Sequence, residues 1–309
     1  MRATTIKMIR EVKEMMITAL LTSVMMLACA APRIGFTTEV AQRGDFKERD
    51  EINQTYQLAP GTRVEVSSIR GPVEIVNADT ATAEVQIIRT ARTRADLEYH
   101  KIEIQHAGNS LVVRGVQEPE QRREQNVQVN HQVKLKLPRR IDLSVNSISG
   151  WLKVGDIDGQ TRVNSISGSA NIGNVGGKLQ MNSVSGSVEV ADVGGEARVN
   201  SISGSLRLGQ VNGSVNVSSV SGGLNATLVS LSPEGIQIRS VSGSVEIGMK
   251  SEVNADFSAE SVSGQVYLDL PNVTLDSETK SPNVRARIGA GGTPITISSV
   301  SGNIRLTRA

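Results

Sequence analysis

With 309 residues, a net charge of +2 and aromatic side chains at only 2% of the chain, the sequence lacks the basic, aromatic-bearing surface that nucleic-acid binding calls for. Its single cysteine leaves no disulfide to form within one chain.

Residues 1–30 read as a targeting segment. Arg2, Lys7, Arg10 and Lys13 precede an apolar run over 15–28 that is too short for a spanning helix. Met26-Leu27-Ala28-Cys29 resembles the lipobox of bacterial lipoproteins, in which the cysteine is lipidated and becomes the mature N-terminus. Ala28-Cys29-Ala30 also fits the small-x-small rule of ordinary signal peptidase. Placed at the end of the apolar run, Cys29 is the expected lipidation site; removal with the signal peptide is the alternative. The expected location is the bacterial cell envelope, as an outer-membrane lipoprotein facing the periplasm or the surface. Residues 31–60, polar and mixed in charge, read as a mobile tether.

Residues 61–141 hold a first repeat unit followed by a break in the pattern. Val64-Glu-Val66-Ser-Ser-Ile69-Arg-Gly71 carries the repeat signature. Stretches 84–90, 98–106, 109–116 and 127–137 then alternate apolar and polar residues, as half-buried strands do. Ala107-Gly108-Asn109 reads as a hairpin turn. These strands are expected to be antiparallel and to cap the N-terminal side of a stack, whose open end would otherwise invite aggregation.

Residues 142–309 are the repeats themselves. Gly150, Gly159, Gly168, Gly177, Gly186, Gly195, Gly204, Gly213 and Gly222 fall at intervals of nine. Alternate copies carry Ser-Ile/Val-Ser-Gly, so the full period is eighteen. Leu179 and Met181 are two apart, the strand period, whereas Val184 and Val188 follow after gaps of three and four, which bend the chain. The spacing predicts Leu179, Met181, Val184 and Val188 inside, and Asn182 and Ser183 outside at the first bend. Coils with such apolar sets bury them by stacking about 4.8 Å apart, which gives an all-β parallel β-solenoid with about 18 residues per coil. Beyond Gly222 the pattern tolerates insertions, the largest near 271–293, read as a loop and a candidate binding site. Asp276, Glu278, Lys280, Arg285 and Arg287 give it a distinctive charge pattern.

Chemical constellations are sparse. His100, His106 and His131 share the parity of apolar neighbours, and three convergent imidazoles would bind zinc, but their spacing matches no compact ligand motif. They read as ordinary cap residues. The second bend carries Asp156, Asn174, Asp192 and Gln210, too few carboxylates for a calcium roll. The exposed column Lys153, Asn171, Glu189, Arg207, Asn225, Glu246, Tyr267 and Arg305 converges on nothing. No catalytic, cofactor-binding or metal residue is expected.

Taken together, Val64-Glu-Val66-Ser-Ser-Ile69-Arg-Gly71-Pro-Val73-Glu-Ile75, the alternating strands and the repeated Val-Asn-Ser-Ile-Ser-Gly-Ser units resemble the bacterial putative-adhesin family of unknown function, over about residues 60–309. The resemblance implies an exported β-solenoid at the cell envelope and transfers no catalytic or ligand residue. The expected function is a non-enzymatic scaffold or adhesin. Its partner would be an envelope protein or glycan, and its membrane contact a lipid anchor. An exported carbohydrate-binding or carbohydrate-active β-helix is the competing class; two carboxylates about 5–10 Å apart in one cleft would favour the enzyme.

Overall fold

The computed structural model describes residues 46–78, 80–117, 129–276 and 283–309. The targeting segment, Cys29, the first part of the tether and residues 118–128 and 277–282 lie outside the described residues.

Two sheets, of twelve and thirteen strands, face each other across one apolar core. Each coil contributes one strand to each sheet. Leu179–Ser185 lies between Thr161–Ser167 and Ala197–Ser203 in the thirteen-stranded sheet, all parallel. Val188–Val193 lies between Ala170–Ile172 and Leu206–Asn212 in the other. Through these coils equivalent side chains are eighteen residues apart, as in the Asn182–Asn164 pair. From the coil that begins at Val215 to the next, the offset widens to twenty-one, as in Asn225–Glu246.

The facing of the first half-repeat differs from the expectation. Ser183 is 1% exposed and points inward, whereas its neighbour Val184 points outward. In equivalent positions Ile166 is 41% and Val262 55% exposed. The cause is where the bend falls. Leu179, Met181 and Ser183 occupy alternate positions of one continuous strand, and the chain turns only at Gly186, with φ 123°. The second half behaves as the spacing predicts, with Val188, Val190 and Val193 all buried. So does the first coil, for a local reason. Ser68 takes φ 59° and shifts the register, which carries Ile69 into the core beside Ser147.

Sequence order and spatial order part company at both ends. The first coil, Thr62–Arg70 with Val73–Ala78, has Ile141–Ser149 and Leu152–Val154 on one side. On its other side run Ser110–Gln117 and Val129–Pro138. The last coil, Thr293–Ser301 with Ile304–Arg308, is likewise enclosed. It slots between Ile236–Ser242 with Val245–Met249 and Ala255–Ser263 with Val266–Asp269.

Antiparallel strands finish the N-terminal side, as expected. His100–Ala107 pairs with Ser110–Gln117 through the turn at Gly108, and Thr82–Ala91 covers Val129–Pro138. Two details depart from the sequence reading. Glu48–Gln57, placed in the tether, is a strand on Thr82–Ala91, because its half-buried Ile52 and Tyr56 pack on the core. Arg94–Tyr99, which overlaps the expected strand 98–106, is a short helix. Thr93 Oγ1 accepts from Asp96 N at 3.2 Å while the Asp96 carboxylate accepts from Thr93 N, a reciprocal cap that fixes the helix start.

The stretch 271–293 is more than a surface loop. Asn283–Ile288 pairs antiparallel with Ala255–Ser263, and Val273–Leu275 pairs beyond it. Ala286 and Ile288 are buried in the core, so this hairpin closes the C-terminal side of the thirteen-stranded sheet.

Candidate binding surfaces

Stacking turns each repeat position into a column. On the outside of the thirteen-stranded sheet, Asn146, Asn164, Asn182 and Asn200 form an amide ladder, each Nδ2 donating to the Oδ1 of the preceding copy at 2.6–2.9 Å. Beside it run the outward-facing Ile148, Ile166, Val184 and Ile202. At the corner, the Gly186 N–H donates to the Ser203 carbonyl at 3.2 Å, and a Cβ on Gly186 would collide with the carbonyl oxygen of Gly168. Glycine is therefore required by contact as well as by φ. Inside, Ser147, Ser183, Ser201, Ser219, Ser240 and Ser299 are buried with hydroxyls that meet no hydrogen-bond partner among the described residues.

The other bend uses its polar residues structurally. Asp156 Oδ1 accepts from Asn174 N at 2.9 Å, Asp192 Oδ1 from Gln210 N at 2.8 Å, and Asn77 Oδ1 from Asp156 N at 2.8 Å. These side chains hold the next coil's backbone. On the twelve-stranded sheet, Glu189 lies 3.9 Å from Arg207, and Arg305 lies 5.4 Å over the Tyr267 ring. These are pairwise surface contacts.

The histidines separate. His100 and His131 are buried with ring centroids 6.3 Å apart, but His106 is exposed beside the Tyr56 ring. Parity alone placed His106 on the apolar face; it lies near the end of its strand, beyond the covering layer. Burial, reinforced by His100, Arg89 and Arg70, lowers the His131 pKa to about 4. Burial and Arg70 lower that of His100 as well. Among the described residues no group of three or more His, Cys, Asp or Glu is placed to hold a metal ion.

A groove of about 720 Å³ crosses the thirteen-stranded sheet where the coil offset widens. Its lining includes Arg198, Asn216, Gln237 and Thr296, with Glu196 and Glu234 at its side. Two carboxylates thus share one cleft. The Glu196 carboxyl is held below its ordinary pKa by hydrogen bonding to Lys178 and by Arg198, and that of Glu234 by hydrogen bonding to Ser232. Glycoside hydrolysis needs one carboxyl whose pKa is raised so that it can protonate a leaving group. Both shifts here run the opposite way. Sequence reasoning missed this groove; its signal was the longer interval between Gly222 and Gly243.

The model of one family, described as Toastrack DUF4097, matches residues 62–307. The chain belongs to the Toastrack family. The match runs from the enclosed first coil to the enclosed last one and leaves the outer strand Glu48–Gln57 outside it. Among solved structures, a putative adhesin from Bacteroides fragilis NCTC 9343 is similar at 12% identity and TM-score 0.41, over 83% of this chain and 97% of that one. A putative adhesin from Parabacteroides distasonis ATCC 8503 is similar at 13% identity and TM-score 0.41, over 85% and 98%. A protein from the latter organism described as a putative lipid binding protein is similar at 10% identity and TM-score 0.25, over 84% and 97%. No curated protein matches the chain. Among the described residues of this Toastrack protein, no helix is long and apolar enough to cross a membrane.

Proposed function

We propose that the protein is a non-enzymatic binding scaffold of the bacterial cell envelope, an adhesin-like solenoid that presents its outer sheet faces to an envelope or surface partner. The observation that carries this reading is the column structure. Outward side chains repeat coil after coil, as in the Asn146–Asn200 ladder, and form an extended surface in place of one convergent site. Such a surface suits many modest contacts made together. A lipid on Cys29 would hold it to the outer membrane, facing the periplasm or the exterior.

Three measurements test the reading. The full-length protein, expressed in a bacterium and purified in its mature form, is used to capture partners from envelope fractions; a specific protein or glycan is the expected yield. Mass spectrometry is expected to find acylated Cys29 at the N-terminus, and Cys29→Ser to release the protein from membranes. A mature chain that begins at Ala31 would refute the anchor.

A further inference from the structure

The groove on the thirteen-stranded sheet lies where the repeat loses its regularity. Arg198, Asn216, Gln237 and Thr296 stand on four successive strands in direct register. Residues 231–235 lengthen the coil there, and Ser232 and Glu234 form part of the groove lining. The same column differs outside the groove. There, Arg162 Nε donates to Gln180 Oε1 at 3.1 Å, so the Gln180 amide oxygen is taken up by its neighbour. Within it, Asn216 and Gln237 make no side-chain hydrogen bond among the described residues. Their amides face the groove with donor and acceptor both free.

We infer that this groove binds an uncharged linear glycan, laid along the stack with successive sugars over Arg198, Asn216, Gln237 and Thr296. The inference rests on the scaffold reading and names the ligand class of one place on its surface. Register selects the ligand. The four side chains are spaced by the inter-strand step of about 4.8 Å, whereas an extended peptide advances about 3.3 Å per residue and falls out of step at once. A pyranose in an extended chain advances by nearly the inter-strand step, so each sugar meets one side chain. Chemistry agrees with spacing, since amides and a threonine hydroxyl both donate to and accept from sugar hydroxyls. Charge excludes polyanions. Lys178 and Arg198 are both paired with Glu196, at 2.5 and 2.7 Å, and Glu234 adds a negative charge that a nucleic acid or acidic glycan would meet unopposed. The groove offers hydrogen bonds without an aromatic platform. A single site is therefore weak, and many copies on one surface supply the avidity.

Affinity electrophoresis of the full mature chain tests this, in gels containing hydroxyethylcellulose, xylan or galactomannan. At least one of the three is expected to retard the wild type. Asn216→Ala with Gln237→Ala is expected to weaken that retardation about tenfold, with an unchanged melting transition. Gln237→Arg, which fills the groove, is expected to abolish it and serves if the double variant folds poorly. Arg162→Ala with Gln180→Ala, in the same column outside the groove, leaves it unchanged. The inference is overturned if none of the three polysaccharides slows the wild type, or if the groove variants are slowed as much as the wild type. Capture of an envelope protein without any glycan retardation would remove the glycan site and leave the scaffold reading standing.

Discussion

Asn182 donates its side-chain amide to Asn164 Oδ1 at 2.7 Å, while the next residue, Ser183, turns its hydroxyl into the core without a partner. One residue therefore ties coils together from outside and its neighbour occupies the inside. Asn182 also accepts from Asn200, so it serves two rungs of the ladder. Asn182→Ala removes both and is expected to cost about 1–2 kcal/mol in urea unfolding. Asn182→Asp can still accept from Asn200 but sets a carboxylate oxygen against Asn164 Oδ1, acceptor facing acceptor, and is expected to cost at least as much as the alanine.

The inward serine makes an opposite prediction from an ordinary polar residue. Ser183→Ala is expected to be neutral or slightly stabilising, because it removes a buried hydroxyl that has no partner. Ser183→Asp buries a charge and is expected to cost several kcal/mol. Val184→Asp, on the outer face, is expected to cost under about 1 kcal/mol. Thermal melts of the three variants check the ordering, and equal losses for Ser183→Asp and Val184→Asp would contradict the assigned facing.

The corner glycines are expected to be the least replaceable residues of the stack. At Gly186 an added methyl meets both a φ of 123° and the Gly168 carbonyl. Gly186→Ala is expected to cost more than about 3 kcal/mol. Gly223, close by, would place a Cβ no nearer than 3.7 Å to any neighbour. Gly223→Ala is expected to stay within about 1 kcal/mol of the wild type in the same melts.

His131 gives the fold an acid-sensitive point. Its pKa falls from the ordinary 6.5 to about 4 on folding, so the unfolded chain binds the proton more readily throughout that interval. Its contribution to stability is therefore fully present above pH 6.5 and is lost as pH falls to about 4, by roughly 3 kcal/mol in total. His131→Leu is expected to flatten this part of the profile. Unfolding free energies of wild type and variant, measured between pH 7 and pH 4, would show the two curves separating toward the acid end, with the loss confined to the wild type.

Much of the fold was legible because strand alternation and the nine-residue beat are both written in side-chain size. The glycine corners, the second half-repeat and the antiparallel cap follow directly. The facing of Ser183 and Val184 does not, because hydrophobicity is a poor guide to the interior at that position. In a stack, β-branched residues such as Ile166, Val184 and Ile202 shield one another on the outer face, and strand parity outweighs polarity. Coil order at the ends was also hidden. Every coil offers a similar apolar set, so the sequence holds no preference for which coil lies on which. The hairpin at 283–288 was visible in the alternation of Val284, Ala286 and Ile288, but its place among longer breaks obscured it. For the candidate site, the lengthened interval after Gly222 was legible as an interruption. Its consequence, a groove, depends on strands distant in sequence such as Thr293–Ser301.

Enclosing the first and last coils has an effect on how such a stack can change in length. A further coil placed against the first or the last one would find its neighbouring places already filled. A unit of eighteen residues duplicated among the central coils meets the same partners above and below, since Asn164, Asn182 and Asn200 already bond at that interval. Each duplication would lengthen the stack by about 4.8 Å and leave both caps untouched. The molecule is thus a ruler that grows from its middle, and its reach can be reset without redesigning either tip.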